Sequence, residues 1–168
     1  MKSRSFYLDL ALLEDYWVRR KYHHTISAPL VYAVREALTV VEEEGRDERW
    51  ARHERNHRAL AAGLEALGLS LLPPAGERLW TLNAVTVPDG VDEAAVRRRL
   101  LDEFSIEIGA GLGPLAGRIW RVGLMGAGST LANVLLFLTA LERVLSASGY
   151  KASSAATAAT AAEAAARA

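Results

Sequence analysis

The spacing of apolar residues changes once along this 168-residue chain, at about Leu69, and this change limits the fold more than any other feature. Before it, apolar side chains recur every three or four residues, which predicts helices. After it, short apolar runs end at Pro73-Pro74 and Pro88-Asp89-Gly90, which predicts strands bounded by turns and mixed with helices. We therefore expect an α/β fold, an α+β sandwich with a mostly antiparallel sheet and helices on one face.

The first part of the chain has three helical patterns. The segment 7–17 predicts a short helix or an extended lead into one. A long helix should begin near Pro29, because a first turn tolerates proline, and should end at Gly45. A further helix is predicted over about 47–67, with Trp50, Leu60 and Leu64 on its apolar stripe.

The second part mixes the two periods. Helices are predicted over 92–104 and from Ser129, a suitable N-cap, to Leu145. The predicted strands are 69–72, 80–87, 106–108 and 119–124. Residues 152–168 are mainly alanine without large side chains to dock, so we expect a frayed or disordered tail without function.

Composition removes several classes of function. With 20 basic and 20 acidic residues the net charge is zero, which disfavours nucleic acid as a partner. The absence of cysteine excludes disulfides, thiolate metal sites and a cysteine nucleophile in this chain. The sequence has neither an apolar leader nor the roughly 20 apolar residues of a membrane span, so we expect a cytoplasmic location and no membrane partner.

Arg121 interrupts an apolar strand pattern, between Trp120 and Val122. A charged group in such a run costs free energy unless its head reaches water or pairs with an anion. The planar guanidinium can bind a carboxylate through two parallel hydrogen bonds, which makes Arg121 a candidate anion clamp. From this segment alone, an edge-strand arginine with its head in solvent is the favoured interpretation.

Tyr22-His23-His24-Thr25 stands just before the long helix. A phenol, two imidazoles and a hydroxyl within four residues can donate hydrogen bonds to a phosphate, aided by the amides of a helix N-terminus. The alternative is an N-terminal cap with exposed aromatic residues.

His53-Glu54-Arg55-Asn56-His57 fits the H-E-x-x-H pattern of zinc enzymes on a predicted helix. Catalytic zinc needs a third protein ligand, and no residue downstream is singled out for that role. Both histidines fall on the same side of the helix as Leu60 and Leu64. We therefore interpret them as packing residues with a polar end and expect no metal site.

Six short segments, in order, resemble a known family. They are Ser5–Leu10, Lys21–Thr25, Tyr32–Leu38, Ile106–Ile108, Gly111–Gly113 and Arg121–Gly126. They are similar to segments of the alanine–glyoxylate and serine–glyoxylate aminotransferases, and the resemblance runs from about Ser5 to Leu145. It implies the C-terminal part of a class V, fold-type I pyridoxal-phosphate enzyme. In that scheme 1–45 are the end of the large domain and the interdomain helix, 46–150 the small domain, and 151–168 a low-complexity tail.

The resemblance also implies roles for three residues. Tyr22 and Thr25 correspond to residues that contact the phosphate of pyridoxal 5'-phosphate in the neighbouring subunit of a homodimer. Arg121 corresponds to the arginine that binds the substrate carboxylate. The implied reaction moves an amino group from alanine or serine to glyoxylate or another 2-oxo acid.

The lysine that attaches the cofactor lies upstream in the family. The lysines of this chain are Lys2, Lys21 and Lys151, and none stands in a matching motif. We therefore expect no catalytic residue in this chain, and no turnover by the chain alone.

Two further interpretations follow from the same residues. Another class V aminotransferase, such as one acting on aminoethylphosphonate, would share these motifs. Alternatively, the chain is a non-catalytic stand-alone module, or a split subunit that pairs with a separate large-domain polypeptide. An exposed apolar interface would favour a partner over a stand-alone module.

Overall fold

A computed structural model describes residues 5–168, which divide into two compact units meeting between Glu44 and Gly45. The first unit contains helix α1, Leu10–Arg19, and helix α2, Ala28–Glu44. Asp9 caps α1, since its carboxylate accepts hydrogen bonds from the amides of Ala11 and Leu12 at 3.0 and 3.3 Å. Neither helix contains a buried residue. Among the described residues, no helix is both long and apolar enough to cross a membrane.

The second unit combines four helices with a three-stranded sheet. Its elements are α3 Arg46–Ala66, β1 Leu82–Thr86, α4 Glu93–Phe104, β2 Gly109–Ala110, β3 Ile119–Gly123, α5 Leu131–Ala147 and α6 Ala155–Arg167. The strand order is β1-β3-β2 and both pairings are antiparallel. The described chain thus confirms the predicted mixed α/β architecture.

The core of the second unit determines which way β3 faces. Trp120 and Val122 are buried together with Leu60 of α3 and Leu138 of α5. The Trp120 indole also donates a hydrogen bond of 3.2 Å to the carbonyl of Glu93, which fixes β3 against the start of α4. Because successive side chains of a strand point to opposite faces, Arg121 lies on the face away from this core.

Two predicted strands differ from the structure. The segment 106–108 is not a strand, because the Ile106 amide bonds to the carbonyl of Leu100 in the turn that ends α4. The paired strand is the two-residue β2 just after it. The segment 69–72 forms only an isolated bridge between Leu71 and Val85.

The start of α5 also differs by one residue. Thr130, and not Ser129, is the N-cap, since its hydroxyl accepts a hydrogen bond of 3.1 Å from the Asn133 amide. The Ser129 side chain is fully buried and bonds to Asn56 of α3. The hydroxyl of Ser129 therefore joins two elements instead of capping one.

The expectation of a frayed tail was wrong. Residues 155–167 form α6, which is capped by Ser154 and packs against α3 and α5. Ala158 and Ala162 are fully buried at that contact. Alanine lacks bulk, and the small side chain allows two helix backbones to approach closely, so large side chains are not needed for docking.

Candidate active-site residues

Arg121 lies in the middle of β3, opposite Ala84 of β1 and Gly109 of β2. Its Nε donates a hydrogen bond of 2.7 Å to the carbonyl of Ala110. A Cβ built on Gly109 would lie 3.2 Å from Nη2 of Arg121. The glycine therefore leaves the space in which the guanidinium lies across β2.

The outer nitrogens of Arg121 are available for an anion. The side chain is half-buried, and no carboxylate of the described residues forms an ion pair with it. Its Nε is held by a backbone carbonyl, so the plane of the guanidinium is fixed while both Nη groups keep their donors. This arrangement can hold a carboxylate through two parallel hydrogen bonds.

Tyr22 and Thr25 belong to the first unit, where the structure brings their hydroxyls together. The two oxygens are 2.8 Å apart, and the Tyr22 side chain is 70% exposed. At this distance one hydroxyl donates to the other, which leaves one O–H group for an oxyanion, and both can donate once the mutual bond opens. The structure thus brings the two hydroxyls together, and their role at a phosphate stays a prediction.

The histidines between them are held by aromatic contacts. His23 is buried, and its ring centroid lies 4.3 Å from that of Phe6 in an edge-to-face arrangement. His24 packs on Tyr7 at 4.6 Å. Neither ring nitrogen of His23 has a hydrogen-bond partner among the described residues. These contacts place the histidines in a packing role, and the outward-facing donors of the motif are Tyr22 and Thr25.

The two histidines of the H-E-x-x-H pattern are buried on α3, as predicted for packing residues with a polar end. His53 Nδ1 donates to the carbonyl of Arg49 at 2.6 Å, and its Nε2 accepts from the Gly126 amide at 3.1 Å. His57 Nδ1 donates to the side-chain oxygen of Asn83 at 2.7 Å. Burial lowers the pKa of His57, with the charge of Arg78 acting in the same direction and the bond to Asn83 opposing it. Trp50, predicted on the same stripe, is instead exposed.

Sequence reasoning missed the residues that surround the strand position of Arg121. Gly109 and the carbonyl of Ala110 are set by strand register, and Asn83 is a buried amide in a strand. The isolated polar Asn83 between Leu82 and Ala84 was the one available signal, because a buried amide needs partners. No pattern in the sequence indicates which carbonyl lies beneath a given arginine.

Comparison with known proteins extends over nearly all the described chain. The (S)-ureidoglycine–glyoxylate transaminase of Bacillus subtilis is 45% identical over 142 residues, which is 84% of this chain and 34% of that protein. The crystal structure of ureidoglycine–glyoxylate aminotransferase from Bacillus subtilis superposes with a TM-score of 0.86 and 42% identity, covering 98% of this chain and 43% of that one. The crystal structure of an alanine–glyoxylate aminotransferase from Nostoc sp. superposes with a TM-score of 0.75 and 50% identity. The match covers 86% of this chain and 39% of that one.

Each match covers only part of the relative. The chain spans about a third of the length of the curated relatives it matches. No protein-family model matches the chain. The likeness is therefore specific in sequence and backbone, and it concerns one part of larger proteins.

Proposed function

We propose that this chain is the C-terminal portion of a transaminase, because it belongs to the class V aminotransferases and corresponds to about the C-terminal 40% of them. The enzyme would use pyridoxal phosphate to move an amino group from alanine or serine to glyoxylate. Within it, this chain would supply the substrate clamp and part of the phosphate site. The Schiff-base lysine would come from the large domain.

The observation that carries the proposal is the geometry of Arg121. Its Nε is held by the Ala110 carbonyl, and its two Nη groups have no carboxylate partner among the described residues. An amino acid and glyoxylate have the α-carboxylate in common, so one clamp serves both halves of a transamination. A bidentate contact would also orient the α-carbon, which raises the rate by fixing the reacting atom relative to the cofactor.

The paired hydroxyls of Tyr22 and Thr25 support a role for the cofactor phosphate. They are hydrogen-bonded to each other at 2.8 Å and the tyrosine is exposed, so both can turn from this mutual bond toward one phosphate group and donate to its oxygens. Pyridoxal phosphate, when bound, supplies the electron sink that stabilises negative charge at the substrate α-carbon. The proposal places these residues at the phosphate of the neighbouring subunit in a homodimer.

A second amino donor is supported by a specific comparison. The Bacillus subtilis relative, 45% identical to this chain, is a ureidoglycine–glyoxylate transaminase. Ureidoglycine also has an α-carboxylate, so Arg121 would bind it in the same way. Rates of glyoxylate consumption with alanine, serine and ureidoglycine as donors would decide between these substrates.

The experiment that tests the proposal joins this chain to the large domain of the Bacillus subtilis relative and assays transamination. R121A should lower kcat/KM about a hundredfold, mostly through KM, because two charged hydrogen bonds to the carboxylate are lost. R118A is the matched control. Arg118 is exposed, three residues earlier, and should leave kcat/KM within about twofold of the parent.

Equal kinetics of R121A and the parent fusion would refute the role of Arg121. A folded fusion that binds pyridoxal phosphate but consumes no glyoxylate with any donor would refute the transaminase assignment. That result would favour the non-catalytic module, for which the absence of a matching lysine motif is the supporting observation.

A further inference from the structure

Buried polar side chains are concentrated at one junction of the second unit. Of the seven buried polar or charged residues described, five lie where α3 meets β1, the end of β3 and the turn that follows it. They are His53, Asn56, His57, Asn83 and Ser129. A buried polar group costs free energy unless it is hydrogen-bonded, so this concentration calls for a reason beyond packing.

Part of this junction holds the turn that follows β3. His53 Nε2 accepts the Gly126 amide at 3.1 Å, and Arg52 Nη1 donates to the Gly126 carbonyl at 3.0 Å. Arg52 Nη1 and the Asn56 amide also donate to the carbonyl of Ser129, at 2.6 and 2.8 Å. The turn is therefore held at both ends by one helix.

The other part holds β3 itself. His57 donates to the side-chain oxygen of Asn83, whose amide donates to the Val122 carbonyl at 3.4 Å. Asn83 is also the register partner of Val122 across the sheet. Val122 directly follows Arg121 in the strand, so this chain of contacts ends one residue from the guanidinium.

Apolar packing decides which face of β3 meets the core, since a slip by one residue would turn Arg121 inward and expose Trp120 and Val122. Directional contacts add a finer constraint on the position of the strand. Apolar contacts tolerate small shifts along a strand, whereas hydrogen bonds to the Val122 carbonyl and the Gly126 amide do not. The polar face of α3 thus limits small shifts of the strand that carries the clamp.

We propose that Arg52, His53, Asn56 and His57, the polar face of α3, position Arg121 for carboxylate binding. The inference rests on the proposed function of Arg121 as the carboxylate clamp. The four residues act through Asn83 and the backbone of residues 122–129 and do not themselves touch the substrate.

The two histidines allow a test with variants of identical composition. His53 acts through Nε2, which the side-chain oxygen of glutamine can replace, whereas His57 acts through Nδ1, which the side-chain nitrogen of asparagine can replace. The double variant H53Q/H57N therefore keeps both bonds to β1 and the turn. The reciprocal variant H53N/H57Q contains the same two amides in exchanged positions and loses both bonds.

The measurement uses the intact 168-residue chain and the 15N NMR signal of the Arg121 Nε–H group, assigned by its loss in R121K. This proton reports the 2.7 Å bond to Ala110. In H53N/H57Q its exchange with water should accelerate about tenfold, the effect of losing one ordinary hydrogen bond. In H53Q/H57N it should stay within about twofold of the parent, and glyoxylate should shift the same signal in both the parent and this variant. Y150F removes the bond from Tyr150 to the Gly68 carbonyl and serves as a control that should leave the signal unchanged.

Equal exchange in the two double variants would overturn the proposal, as would unchanged exchange in both. If H53N/H57Q does not fold, the single variants H53N and H57Q provide the same comparison with H53Q and H57N. Failure of glyoxylate to shift the parent signal would count against the carboxylate role of Arg121. The exchange rates would still decide whether α3 positions its side chain.

Discussion

The two compact units of this chain use their apolar residues in opposite ways. In the unit from Gly45 onward, α3 and α5 bury Leu60, Leu64 and Leu141 completely. In the unit that ends at Glu44, α1 and α2 bury nothing, although α2 has the same helical spacing of apolar residues. Leu30, Val34 and Leu38 of α2 are exposed by 65, 59 and 63%. One amphipathic pattern thus forms a core in one unit and an open surface in the other.

An exposed apolar stripe of this size is typical of a surface that another polypeptide covers. The relatives are about three times as long as the matched segment, so under the proposed function the rest of the enzyme would cover this stripe. We therefore expect 45–168 to be stable by itself and α1 and α2 to contribute little to that stability.

Matched leucine substitutions should give the largest difference between the units. Leu60→Ala empties a fully buried site and should lower the free energy of unfolding by about 2–5 kcal/mol. Leu38→Ala, on the exposed face of α2, should change it by no more than about 0.5 kcal/mol. Urea unfolding followed by circular dichroism measures both. Equal losses would mean that α2 belongs to the same cooperative core.

The alanine-rich helix α6 offers a smaller test of the same contrast. Ala162→Glu places a charge at a fully buried contact and should lower the free energy of unfolding by about 1–3 kcal/mol. The loss should not be larger, because α6 can detach and expose the charge to water. Ala37→Glu, at an exposed position of α2, is the control and should be close to neutral. Urea midpoints that fall equally in both variants would show that α6 is no more tightly docked than α2.

Local patterns predicted the elements well where local interactions determine them. The helices containing Leu30 and Leu60 and the strand containing Arg121 follow from the periodicity of apolar residues. The strand predicted at Ile106 failed because the C-terminal turn of α4 takes its amide. The tail failed because burial of Ala162 depends on the surface that α3 presents. Neither the lost strand nor the docked helix can be predicted from the residues of the segment alone.

The same distinction applies to the candidate site. Arg121 was identifiable from sequence because a charge in an apolar strand needs an anion or water. The proximity of Tyr22 and Thr25 follows from their spacing of three residues. The support from Gly109, Asn83 and His57 was not predictable, since it depends on register and on packing between distant segments.

The unit that begins at Gly45 should supply most of the stability of this chain, whereas the apolar stripe of α2 should be an interaction surface. Hydrogen exchange of the 168-residue chain, at a concentration where sedimentation shows a monomer, tests it most directly. The account predicts that amides of α2 exchange with little protection, whereas those of α3 and α5 exchange only on global unfolding. Amides of α2 that are protected as strongly as those of α3 would contradict it.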